Sequence, residues 1–101
     1  MTHRVSFSPE AETQLVDLRR YIAREAGLTV SRAFTDAIVE LCESLVIFPN
    51  RGAPRDDLRP GLRTLGFRRR VTVAYAIGAD VVTILAVFYG GQDFEAVLRE
   101  P

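Results

Sequence analysis

Between Phe48 and Arg70 the chain reads FPNRGAPRDDLRPGLRTLGFRRR, and this stretch holds seven arginines: Arg51, Arg55, Arg59, Arg63, Arg68, Arg69 and Arg70. Only Asp56 and Asp57 oppose them there, so the local balance is +5 in a molecule whose formal net charge is zero. Residues 1–50 carry five Arg against seven acids, and residues 71–101 carry one against four. The chain is electrically polarised along its length. All 13 basic residues are Arg and none is Lys. A guanidinium is a planar fork of donors that matches carboxylates, phosphates and aromatic faces, so a cluster of it suits a defined anionic partner. The competing reading is of solvated charges flanking two loops.

Other chemistries find fewer residues. Cys42 is the only cysteine and His3 the only histidine, which leaves no intramolecular disulfide and no structural zinc site. No metal, cofactor or catalytic residue is expected. Asp56 and Asp57 lie between Arg55 and Arg59 and read as a local ion-paired turn. Gly90-Gly91 follows a strand but leads into Gln92-Asp93, where an acid would repel phosphate. The aromatic stacking platform of a stand-alone RNA-binding module is missing. Cys42 beside Leu41 reads as packing, not as a reactive thiolate. No run approaches the roughly 18 apolar residues of a membrane helix, and no signal-type start is present, so a cytoplasmic protein without membrane partners is expected. The 101 residues suit one domain, 1–101, with a single core.

These groups must be positioned by a small set of elements. Val5-Ser6-Phe7 is a short alternating segment cut off by Ser8-Pro9-Glu10, which reads as N-cap, first helical proline and first-turn acid. Ala11, Leu15, Leu18 and Ile22 share one helical face, and Gly27 ends the helix. A second helix is predicted with Ser31 as its cap and Phe34, Ala37, Ile38, Leu41 and Leu45 as its apolar stripe. Three prolines and two glycines between Phe48 and Gly61 exclude a helix or a central strand. The period then becomes strand-like. Leu62–Phe67 is a weaker strand, Val71–Ile77 alternates clearly, Gly78-Ala79-Asp80 turns, and Val81–Tyr89 is apolar on both faces as in the middle of a sheet. Asp93 can cap a short terminal helical turn holding Phe94 and Leu98.

The predicted architecture is therefore α+β, two-layered, in the order β-α-α-β-β-β. Its antiparallel sheet has strand order 1-4-3-2, with a helical hairpin on one face. Val71, Val73, Tyr75 and Ile77 should meet the helices. Thr72, Ala74 and Ala76 would then be open on the other face. Arg68 and Arg70 share their parity, so they would edge a shallow docking surface for an acidic segment.

With its elements in this order the chain resembles the RelE/ParE toxin superfamily, the toxic half of bacterial type II toxin–antitoxin modules. The resemblance runs from Val5 to Leu98 and is carried by the FSPEAE start, the helical hairpin, FP followed by RG, DDLRPGLR, the VAYAI strand and VVTILAVFYGGQD. RPGLR, Arg59 to Arg63, and the VFYGGQD ending are more like ParE or plasmid-stabilisation proteins than RelE nucleases. RelE-like members cleave mRNA in the ribosome, ParE-like members poison DNA gyrase by binding it, and the fold alone does not choose. A ribonuclease needs one group to activate the ribose 2′-hydroxyl and another to protonate the leaving oxygen. In the RelE pattern these are lysines and arginines on the strands, with a Tyr or His near the C-terminus. Here there is no Lys, and Gly90 to Pro101 holds neither His nor Tyr. Tyr89 stands where ParE-like sequences commonly have His, and with an ordinary pKa near ~10 a tyrosine is a poor base.

The resemblance thus implies a ParE-like gyrase inhibitor, neutralised by a ParD-like antitoxin with an acidic amphipathic tail. A ribosome-dependent mRNA endonuclease is the alternative, and an inactive relative kept as a binding module the third reading. The residues expected at the target are Arg59, Arg63, Arg69, Tyr89, Gln92 and Asp93. Those expected at the antitoxin are Arg68, Arg70, Thr72, Ala74 and Ala76.

Overall fold

A computed structural model describes residues 4–90 and 92–99; His3 and Gly91 lie outside the described residues. After a first strand, β1 (Arg4–Phe7), Ser8 opens helix α1 (Pro9–Ala26) as the sequence predicts. Its Oγ accepts from the Ala11 N–H at 3.0 Å and donates to the Leu85 carbonyl at 2.8 Å, so one hydroxyl both caps the helix and ties it to the sheet. Gly27, at φ 96°, closes α1 through its N–H to Ala23 O. Its own carbonyl accepts from Ser31 N at 3.1 Å, so it also starts α2 (Leu28–Ser44). The connection is a single residue in a conformation that glycine adopts freely.

Ser31 is consequently not a cap. It lies inside α2, fully buried, and its hydroxyl donates to Arg19 O at 2.6 Å, pinning one helix to the other. The buried stripe of α2 is Ser31, Thr35, Ile38 and Cys42, with Leu45 just beyond. It is rotated from the predicted stripe, and Phe34, Ala37 and Leu41 sit at its half-buried edge.

The remaining strands are β2 (Ala53–Pro54), β3 (Leu62–Phe67), β4 (Val71–Ile77) and β5 (Val81–Tyr89), followed by a short helix α3 (Phe94–Leu98). The sheet order is β1-β5-β4-β3-β2, which keeps the predicted neighbours and adds a two-residue edge strand. Pro54 is tolerated there because an edge strand can spare a backbone donor. The sheet is mixed, not wholly antiparallel: β1 runs parallel to β5, pairing Arg4 with Val81 through Phe7 with Ile84. Tight turns impose antiparallel pairing on β3, β4 and β5, whereas β1 leads into the helical hairpin and carries no such constraint.

A bulge decides which way the end of β5 faces. Tyr75 pairs with Ile84 and Ala74 with Ala86, leaving Leu85 as the extra residue. Val82 and Ile84 before it, and Val87 and Tyr89 after it, all turn toward the helices. Without the bulge Tyr89 would face the opposite way.

Val71, Val73 and Tyr75 pack with Leu18, Ile22, Ile38 and Cys42 in the main core, as expected. The other face is not open. Leu58, Leu62 and Leu98 pack with Ala74, Ala86 and Phe88 in a second cluster, and Ala74 is 0% exposed. The segment before β3 and the chain's last helix cover the small residues.

Candidate functional site

The β3–β4 turn, the end of β5 and the turn between the helices converge at one end of the molecule. Val71 pairs with both Phe67 and Tyr89, and Gly90 N donates to Arg70 O at 2.9 Å. Phe34 packs edge-on to Phe67 and to Tyr89, with centroids 5.6 and 6.3 Å away, and Tyr21 lies 5.7 Å from Tyr89. These rings form a floor between the helices and the sheet. The Arg68 guanidinium lies across it, 4.8 Å from the Phe67 ring and 5.7 Å from that of Phe34, a contact worth about 0.5–1 kcal/mol at an exposed site. Beside it a groove of about 240 Å³ is lined by Tyr21, Val30, Phe34, Arg70, Tyr89 and the acid Glu25.

Arg68 and Arg70 therefore do not edge the outer sheet face. Arg68 and Arg69 hold φ of 51° and 59°, which ends strand alternation at Phe67 and swings Arg68 toward the helices. The five residues expected at the antitoxin are thus divided. Arg68 and Arg70 belong to the helix-side end, Thr72 and Ala76 are half-buried on the opposite face, and Ala74 is sealed beneath Leu58 and Leu98.

The residues expected at the target are divided as well. Arg69, Tyr89, Gln92 and Asp93 lie at the aromatic end, while Arg59 and Arg63 lie at the other end of β3, roughly 13–17 Å away by strand rise. Gln92 Oε1 accepts from Tyr89 N at 2.7 Å, and Asp93 caps α3 by accepting from Ala96 N at 3.2 Å. Arg63 donates to the carbonyls of Asn50 and Gly52. The same loop is held by Tyr75, whose hydroxyl donates to Pro49 O and accepts from Gly52 N, both at 2.8 Å. A Cβ on Gly52 would come within 2.7 Å of that hydroxyl and 2.8 Å of Thr64 O, so the approach requires glycine.

Arg55 makes the salt bridges found among the described residues. It forms a bidentate pair with Asp57, both contacts at 3.0 Å, and bonds Glu95 of α3. The bridge to Arg55 holds the Asp57 carboxyl below its ordinary value, and the pairing raises the Arg55 guanidinium further. Asp56 instead accepts from Gly61 N at 2.8 Å. This cluster is a clasp that keeps α3 over the second core. Cys42 is fully buried, and burial, with Glu43 adding, pushes its thiol up to about 12, which leaves it inert as a nucleophile.

Sequence reasoning missed Tyr21 and Val30 as surface residues and took Phe34 for core. Tyr21 lies off the Ala11, Leu18, Ile22 stripe, and that was the available signal. A second exposed apolar pair, Ile47 and Phe48 at 72% and 62%, borders a hollow of about 590 Å³ reaching to Arg51. It lies on the loop that Tyr75 and Arg63 brace, away from the aromatic end.

Residues 5–94 match the family described as ParE toxin of type II toxin–antitoxin system, parDE. A curated relative, Toxin ParE3 of Caulobacter vibrioides, is 33% identical over 79 residues, covering 78% of each chain. Among solved structures, the chromosomal ParDE system from P. aeruginosa aligns with a TM-score of 0.77 at 21% identity, over 88% of this chain and 97% of that one. The toxin–antitoxin complex RelBE2 from Mycobacterium tuberculosis aligns at 0.61 and 25% identity, over 88% and 99%. Both share the fold described above.

Proposed function

Because the chain belongs to the ParE toxin family of type II toxin–antitoxin systems, we propose that it arrests growth by binding and inhibiting DNA gyrase in the cytoplasm. The observation that carries this reading is the make-up of the aromatic end. Exposed guanidiniums there flank a ring-lined groove, while the chain supplies no Lys, and no His or Tyr after Tyr89, to pair as acid and base. Binding needs what is present, whereas the RelE pattern of strand lysines with a His or Tyr near the C-terminus is not. We assign target contact to Arg69 and the exposed edge of Tyr89, with Gln92 and Asp93 holding the backbone beside them. Arg63 is scaffold, and Arg59, in the turn before β3, sits too far from the aromatic end to join the same contact.

A ParD-like antitoxin neutralises the toxin by laying an acidic amphipathic segment into the groove, apolar side chains on Phe34 and Val30, carboxylates toward Arg68 and Arg70. Charge reversal of Arg68 and Arg70 should then weaken antitoxin binding far more than reversal of Arg19 and Arg20 on α1. Purified toxin should inhibit gyrase supercoiling, and added antitoxin should restore it. Normal supercoiling at saturating toxin would end the proposal.

A further inference from the structure

Arg68, Arg69 and Arg70 are consecutive, exposed and together in the turn from β3 to β4. Among the described residues none of their guanidiniums meets a carboxylate or a hydrogen-bond acceptor; the arginine donors are Arg51, Arg55 and Arg63. Arg68 stacks on Phe34 and Phe67, but no packing or hydrogen bond among the described residues calls for arginine at Arg69 or Arg70. Two-residue hairpin turns with both central residues at positive φ favour Asn-Gly. The left-handed region disfavours side chains with a Cβ by roughly 1–2 kcal/mol each. Among the described residues the fold thus holds three cations without a carboxylate partner at a strained tip.

We propose that this tip contacts the phosphate backbone of the DNA held by the toxin's gyrase target, an inference that rests on the gyrase reading above. Size decides between DNA and a protein surface. A specific protein interface takes about 800 Å² per partner with buried aromatic anchors. The tip is three residues wide, and Arg68 already covers the Phe34 and Phe67 rings beneath it. Phosphate contacts need no such area. A guanidinium fork matches a phosphate in a bidentate pair, and each contact adds affinity independently of its neighbours. Charges on one DNA strand recur every ~3.4 Å along the axis, so the long side chains of Arg68 and Arg70, two residues apart in the turn, can each take a separate phosphate. An acidic antitoxin tail reaching Arg68 and Arg70 would occupy the positions that phosphates take in the free toxin.

The test measures toxin affinity for gyrase alone and for gyrase with a linear DNA duplex bound, across a salt series. It compares the wild type, a tip variant combining Arg68→Asn and Arg70→Gln, which leaves the target contact of Arg69 in place, and a control combining Arg19→Gln and Arg20→Gln. Thermal unfolding of each confirms that it folds. Wild type and control should bind the DNA complex at least about tenfold more tightly than DNA-free gyrase. The tip variant should lose that gain, with a salt slope smaller by about 2, at roughly 0.9 per phosphate contact, and keep its affinity for DNA-free gyrase. A gain that survives in the tip variant, or is absent in the wild type, overturns the inference. So does an equal loss toward DNA-free gyrase, which would mean that the tip touches protein. If the wild type binds neither form, the gyrase reading itself falls, and the inference with it.

Discussion

Replacing Arg68 by Asn and Arg69 by Gly should make the protein more stable and less toxic. Both residues occupy the left-handed region, at φ 51° and 59°, and at roughly 1–2 kcal/mol each the strain sums to about 2–4 kcal/mol. Against its relief stand the entropy that Gly returns to the unfolded chain, about 0.5–1 kcal/mol, and the lost stacking of Arg68 on Phe34 and Phe67, about 0.5–1 kcal/mol. Asn keeps part of the left-handed penalty, so the net gain is about 1 kcal/mol, or about 4–8 °C in Tm for a domain of this size. Circular dichroism melts would be compared with growth inhibition at matched expression. A lower Tm would refute the strain argument. A raised Tm with full toxicity would refute the placing of function at the turn.

Tyr75→Phe removes one hydroxyl that serves both Gly52 N and Pro49 O. Leaving buried partners unmade should cost about 1–3 kcal/mol, read in denaturant unfolding, with no loss if the loop recloses by itself. Arg63→Ala should lower stability and toxicity in step, because its contacts are to Asn50 and Gly52 carbonyls; lost toxicity at unchanged Tm would return Arg63 to the target site. The Asp57 carboxyl is held below its usual value near 3.8 by Arg55. The clasp's contribution should therefore be complete above about pH 4 and fade as pH falls through the lower folded value. Hydrogen-exchange protection of α3 should drop over that range and be low throughout in Arg55→Gln, and equal protection in both proteins would show that the clasp does not hold α3.

Elements with strong local patterning could be read from sequence to the residue. Val71–Ile77 and Val81–Tyr89 end where alternation and the apolar run end, and Ser8, Pro9 and Gly27 mark helix α1 through their own chemistry. What failed depended on distant partners. The rotation of the α2 stripe turns on the Ser31 hydroxyl meeting Arg19 O, and no local pattern shows that a polar side chain will be buried. The covering of Ala74 depends on Leu58 and Leu98, which lie 16 and 24 residues away in the chain. The candidate site was read as to its residue types but not its geometry. Parity arguments for Arg68 and Arg70 carried strand alternation through residues 68–70, whereas β3 ends at Phe67 and the positive φ of Arg68 and Arg69 breaks it; the Leu85 bulge that turns Tyr89 toward Tyr21 has no mark in an all-apolar run.

The central claim is that this toxin acts by binding gyrase and does not cut RNA. The most direct measurement exposes a gyrase supercoiling reaction and a translating ribosome to the same purified protein, mapping DNA breaks in one and mRNA ends in the other. Stalled supercoiling or gyrase-linked DNA breaks, with intact mRNA, is the predicted result. Codon-positioned cuts in mRNA at the ribosomal A site, with gyrase working normally, would contradict it.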